Sequence, residues 1–158
     1  MNMKVWRICH KEYADSAFSG EGARLYGGRF NSEGIRAVYT SGSLSLALLE
    51  LLVQIEDREY LDRCVCFTAV IKSRHCFQPK PDELPNGWDT IPYGKSSQDY
   101  GDRWITERKY VAMKIPSVVV PGEFNIVINP EHPKFAEIDI SPPEPLRFDP
   151  RLKIQSGL

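Results

Sequence analysis

The sequence has no run of lysines and arginines, no apolar stretch of membrane-spanning length and no C-x-x-C pair. Its 20 basic and 21 acidic residues interleave to a net charge of −1. Without a basic stripe, neither nucleic acid nor an anionic membrane is expected as principal partner. The opening "MNMKVWRICHKEY" lacks the apolar core of a secretion signal, which points to a cytoplasmic location. The four cysteines, Cys9, Cys64, Cys66 and Cys76, are then expected to be reduced thiols. Cys9-His10 and His75-Cys76 bring a metal site to mind, yet no spacing fits a zinc pair and the three histidines form no pattern. No metal is expected. Cys64 and Cys66 lie two apart in "CVCFTAVI", on one face of a strand, as small apolar filler.

Internal repeats, low-complexity segments and interior linkers are also missing. What remains is an ordinary globular composition, 42% hydrophobic and 26% charged, over 158 residues. One domain spanning 1–158 accommodates it. "KVWRIC" reads as a first strand and "ADSAFSGEGARLYGGRFNSEG" as a loop. "IRAVYTS" reads as a second strand on its β-branched and aromatic content. A helix follows from Ser43, a good N-cap, to about Asp57. "RCVCFTAVI" is a third strand, and residues 78–98 form an irregular connection whose pattern matches nothing known. A second helix is expected over about 97–110, with Tyr100 and Trp104 on one side. "PSVVVPG" and "FNIVINP" read as strands joined at Pro121-Gly122, and the Pro-rich end leaves room for one or two short edge strands. Strands outnumber helices and the connections are too short for repeated crossovers, so the fold class is α+β.

One residue is out of character. Glu50 is the single charge in "SLSLALLELLVQI", with Leu46, Ala47, Val53 and Gln54 as its helical neighbours. The helix is apolar nearly all round, which predicts burial on most sides. An unpartnered carboxylate there is strongly disfavoured. Glu50 therefore either follows a single polar line to solvent or faces a cleft that holds a compensating cation.

Ahead of that helix, "YGGRFNSEG" sets two glycines before Arg29, followed by Asn31 and Ser32. Glycines let backbone approach a ligand closely, and an arginine beside them suits a pyrophosphate with its forked donors. A "GGR" by itself is more often a plain turn. Tyr39 ends the strand that feeds the Glu50 helix, so Tyr39 and Glu50 can reach one cleft; the plainer role for Tyr39 is a core aromatic with its hydroxyl at the rim.

Taken in order, "WRI…FSGEGARLYGGRFNSEGIRAVYTSGSLSLALLELL…IPSVVVPGEFNIVINP" closely resembles the RES-domain family over nearly the whole chain. The resemblance implies an ADP-ribosyltransferase-like fold of mixed β-sheets flanked by helices. It implies the toxin of a bacterial type II toxin–antitoxin pair that degrades NAD as substrate, with no separate cofactor. It implies an Xre-type helix-turn-helix antitoxin as partner, and it allows a homodimer within the toxin–antitoxin complex. The family's "GGRW-N" arginine matches Arg29, with Phe30 where Trp is often found. Its "VYTS" tyrosine matches Tyr39, with Ser41 closing that block, and its "ALLE" glutamate matches Glu50. Ser117 of "PSVVV", Asn125 of "EFNIVINP" and Arg7 of "WRI" fall at motif positions that line the pocket.

These residue types suit cleavage of the nicotinamide–ribose bond. The transition state is oxocarbenium-like, so a carboxylate at the sugar stabilises the growing charge. A tyrosine face can hold cationic nicotinamide, and an arginine the diphosphate. Hydrolysis and phosphorolysis both remain open. So does transfer of ADP-ribose to a protein, although Leu48 stands where arginine-modifying transferases carry a second acid. A binding module with Glu50 and Arg29 as a buried pair is the reading without catalysis.

Overall fold

Strand β1 (Asn2–His10) pairs antiparallel along its full length with β3 (Cys64–Lys72), from Asn2 opposite Lys72 to His10 opposite Cys64. That ladder is part of an eight-stranded sheet in a computed structural model that describes residues 1–153. The other strands are β2 (Val38–Ser41), β4 (Cys76–Phe77), β5 (Ala112–Pro116), β6 (Phe124–Ile128), β7 (Asp139–Ile140) and β8 (Glu144–Pro145). Their order is β4-β5-β6-β2-β1-β3-β7, with β8 also on β3. Only β4 with β5 is parallel, so the sheet is mixed. Strands β7 and β8 lie in the Pro-rich end, where one or two short edge strands are expected.

Alternation along these strands divides the interior in two. Val5, Val38, Ala69, Ile71, Ala112, Ile126 and Ile128 fill one face of the sheet. Met113, Ile115 and Val127 fill the other, beneath Phe30, Trp104 and Ile105. Each fully buried aliphatic side chain contributes about 1.5–3 kcal/mol, so the two clusters hold the sheet from both sides. With its flanking helices this is an α+β fold.

Among the described residues three α-helices flank the sheet: α1 (Glu21–Tyr26), α2 (Leu44–Leu52) and α3 (Lys95–Glu107). The first corrects the expectation of a loop; six residues are too few for an apolar period to show in the sequence. Helix α2 starts at Ser43 as expected, whose hydroxyl accepts the Leu46 N–H at 3.1 Å, but it ends at Leu52 rather than near Asp57. It is also less enclosed than its leucines suggest. Leu46 and Ala47 are buried, whereas Leu44, Leu49 and Val53 are 38%, 41% and 65% exposed. Helix α3 begins two residues early and stops at Arg108, which takes a left-handed φ of 55°. Tyr100 and Trp104 both face the second core, as their spacing predicts.

The strand expected at "PSVVVPG" is a bend over 118–120, leading into the expected turn at Pro121-Gly122. Strand β5 ends at Pro116, and the Ser117 N–H closes onto the Glu123 carbonyl at 2.8 Å. The Ser117 hydroxyl accepts the Val120 N–H at 3.0 Å, a side-chain competitor that outweighs the strand preference of three valines. Among the described residues no helix is long and apolar enough to cross a membrane.

Candidate functional site

The site is built where α2 crosses the ends of β2 and β6. Antiparallel partners share a sheet face, and Trp6 faces Ser41, which faces Asn125. Glu50, half-buried at the end of the second turn of α2, reaches over these strands. Its Oε1 accepts from Asn125 Nδ2 at 2.6 Å and from the Ser117 hydroxyl at 2.8 Å. Asn125 is oriented in turn by Ser41, whose buried hydroxyl donates to its Oδ1 at 2.7 Å. One carboxylate oxygen is thus held twice, while Oε2 meets no donor among the described residues.

Arg29 stands on the loop after α1. Its Nη1 donates to the carbonyls of Trp88 and Thr90 at 2.9 and 2.8 Å, and its Cζ lies 5.8 Å from the centre of the Tyr93 ring. The Nε and Nη2 donors have no acceptor among the described residues. Burial pulls its pKa below the ordinary value; the carboxylates of Glu50 and Asp89, both within electrostatic reach, oppose that. The free Nε/Nη2 side is the fork that grips a phosphate or carboxylate bidentately.

Tyr39 supports this loop rather than lining it with a free hydroxyl. Its Oη accepts the Phe30 N–H at 2.9 Å and donates to Asn31 Oδ1 at 2.7 Å. Burial pushes that phenol well above its ordinary pKa, so it stays neutral. Asn31 is fully buried and donates to the carbonyls of Ala23 and Ile35 at 2.8 and 2.9 Å. Gly28 is required here, because a Cβ would stand 2.6 Å from the Tyr39 oxygen and 2.9 Å from Asn31 Oδ1. Helix α3 clamps the loop from the other side. Gln98 Nε2 donates to the Gly28 and Asn31 carbonyls at 3.2 and 3.1 Å. Asp102 accepts the Ser32 N–H at 2.8 Å and also its hydroxyl.

The structure therefore brings Glu50, Ser117, Asn125 and Ser41 into one hydrogen-bonded group, with Arg29 in electrostatic reach of Glu50 and Tyr39 beneath the Arg29 loop. Arg7 is not in it. As the neighbour of Trp6 it projects from the opposite face of β1, and its Nε and Nη1 donate to the carbonyls of Ala17 and Tyr39 at 2.6 and 3.0 Å. Burial pulls its pKa down. It is a strut between the strand and the loop that follows. Gln98, Gly101, Asp102 and the segment 88–93 were passed over in the sequence. Their one visible signal is a glycine inside an otherwise sound helix, flanked by polar residues four apart. Among the described residues, no three His, Cys, Asp or Glu side chains gather as a metal site would require.

The mixed sheet, the flanking helices and a carboxylate held at the strand ends define an α+β fold of ADP-ribosyltransferase-like type. Residues 4–149 match the RES domain, and the chain belongs to that family. It is 36% identical to Toxin Res of Yersinia enterocolitica, covering 96% of this chain and 100% of that one. It is 33% identical to a Prs ADP-ribosylating toxin of Sphingobium, covering 96% and 98%. Toxin Res of Photorhabdus laumondii shares 34% identity over 81% of this chain and 82% of its own length.

Proposed function

We propose that this chain is a toxin enzyme that cleaves NAD at the nicotinamide–ribose bond and passes ADP-ribose to water or phosphate. One observation carries the reading: Glu50 offers a single free carboxylate oxygen, its other oxygen being fixed by Ser117 and Asn125. A preoriented carboxylate of this kind can accept a ribose hydroxyl and stabilise positive charge at the anomeric carbon. The C–N bond breaks with its electron pair leaving on nicotinamide, which becomes neutral. Water or phosphate oxygen then bonds to the anomeric carbon, and water gives up a proton. The free fork of Arg29 receives the diphosphate, while Tyr39 keeps the Arg29 loop in place. Ser41 and Asn125 hold the carboxylate at its angle, where misplacement by about an ångström lowers rate steeply.

Purified protein mixed with NAD is expected to release nicotinamide, and Glu50→Gln to lose nearly all of that release. A wild type no faster than Glu50→Gln sinks the assignment.

The Sphingobium relative, named for ADP-ribosylating Prs, favours a second reading in which the acceptor is a protein. Labelled NAD incubated with cell lysate separates the two, since only protein transfer leaves label on a band. On either reading the partner is an Xre-type helix-turn-helix antitoxin in the cytoplasm, in a complex that can contain a toxin homodimer. Co-purification of such a protein, encoded beside this chain, tests it.

A further inference from the structure

We propose that Tyr93 is a substrate-holding residue whose ring stacks on the adenine of the bound dinucleotide. The inference rests on the NAD reading above and names a residue that lies outside every motif of the sequence. Three observations lead to it.

First, the segment 88–93 is anchored at the site. Arg29 Nη1 holds the carbonyls of Trp88 and Thr90, so the guanidinium proposed to meet the diphosphate also fixes the loop that carries Tyr93. Second, Tyr93 is 40% exposed, and its ring stands over Arg29 at 5.8 Å. Tyr39, the other aromatic expected to meet substrate, has its hydroxyl engaged by Phe30 and Asn31 and its ring against the second core. Tyr93 therefore offers accessible aromatic surface beside Arg29.

Third, charge decides which ring of the dinucleotide it takes. A π-face attracts a cation, but Tyr93 already has the Arg29 guanidinium over it. A second cation across the same ring, as the nicotinamide of NAD would be, is disfavoured relative to a neutral ring. Adenine is neutral and stacks well on aromatic side chains. With the diphosphate on the Nε/Nη2 fork, one ribose separates it from each base, so adenine can come to Tyr93 while the nicotinamide ribose goes to Glu50.

The test compares wild type, Tyr93→Ala and Tyr93→Phe by nicotinamide release. Tyr93→Ala is expected to raise the KM for NAD roughly tenfold, as loss of one stacked base implies, with kcat within about twofold. It should weaken competitive inhibition by AMP by a similar factor and leave inhibition by nicotinamide unchanged. Tyr93→Phe, which keeps the ring, should recover most of the loss. An unchanged KM in Tyr93→Ala overturns the proposal while leaving the NAD reading intact. Weakened inhibition by nicotinamide with AMP inhibition retained also overturns it. A wild type that releases no nicotinamide removes both readings together.

Discussion

Gly101 and Phe30 meet so closely that a Cβ on the glycine would lie 1.8 Å from the Phe30 carbonyl oxygen. Helix α3 can touch the Arg29 loop only because this position has no side chain, and the contact lets Gln98 and Asp102 reach the loop on either side of it. Alanine at 101 gains about 1 kcal/mol in helix propensity, but it forces backbone apart where rotation cannot help. Gly101→Ala is expected to lose about 2 kcal/mol net, and to shift the urea midpoint down by about 1 M. A midpoint that rises would show that the helix and loop can separate freely.

The pair of donors on Glu50 Oε1 makes a kinetic prediction. A hydrogen bond to a charged group contributes about 1.5–3 kcal/mol, so Ser117→Ala and Asn125→Ala should each lower kcat on the order of ten- to a hundredfold. The KM for NAD should change little, because neither residue is assigned a contact with the diphosphate. Ser41→Ala acts one step further away and should show a smaller loss. A large rise in KM with kcat retained would mean that Ser117 and Asn125 bind substrate directly.

Removing the Tyr39 hydroxyl leaves the Phe30 N–H and Asn31 Oδ1 without their partner. Tyr39→Phe should destabilise the fold by about 1–3 kcal/mol and weaken NAD binding through the Arg29 loop. Thermal melts and nicotinamide release at varied NAD check both effects. Unchanged stability would return the tyrosine to the role of a free pocket residue.

The thiols should be inert at neutral pH. Burial pushes Cys64 and Cys76 each up to about 11, and raises Cys9 and Cys66 as well. A group raised this way stays protonated below its pKa, so at pH 7.5 on the order of one thiol in a few thousand is thiolate. Iodoacetamide labelling followed by mass spectrometry should find Cys64 and Cys76 unmodified in the native protein, and modified after unfolding or as pH nears 11. Rapid native labelling at pH 7.5 would contradict their burial.

Some of this architecture could be read from residues alone because the signal was local. Ser43 caps α2 through its own hydroxyl, and the β-branched run 64–72 makes a strand wherever it pairs. Glu50 stood out because a single charge among leucines needs a reason. Other features depend on pairing, which one segment does not contain. That Trp6 and not Arg7 shares a face with Ser41 follows from strand register. That three valines bend out of the sheet follows from the Ser117 hydroxyl taking the Val120 N–H. The exposed flank of α2 follows from the sheet covering only the Leu46–Ala47 side. The roles of Gln98 and Asp102 follow from the Arg29 loop lying against α3, which no segment of the helix itself contains.

The groups that steady Glu50 come from positions 41, 117 and 125, and the strand bearing the last of these slots between two others, one of them made some eighty residues earlier. While a ribosome is still producing the first hundred residues, the acid already exists but nothing aims it. On the proposed reading, whatever this carboxylate helps to cleave is safe from the nascent chain until residues 117 and 125 have been made and folded against it.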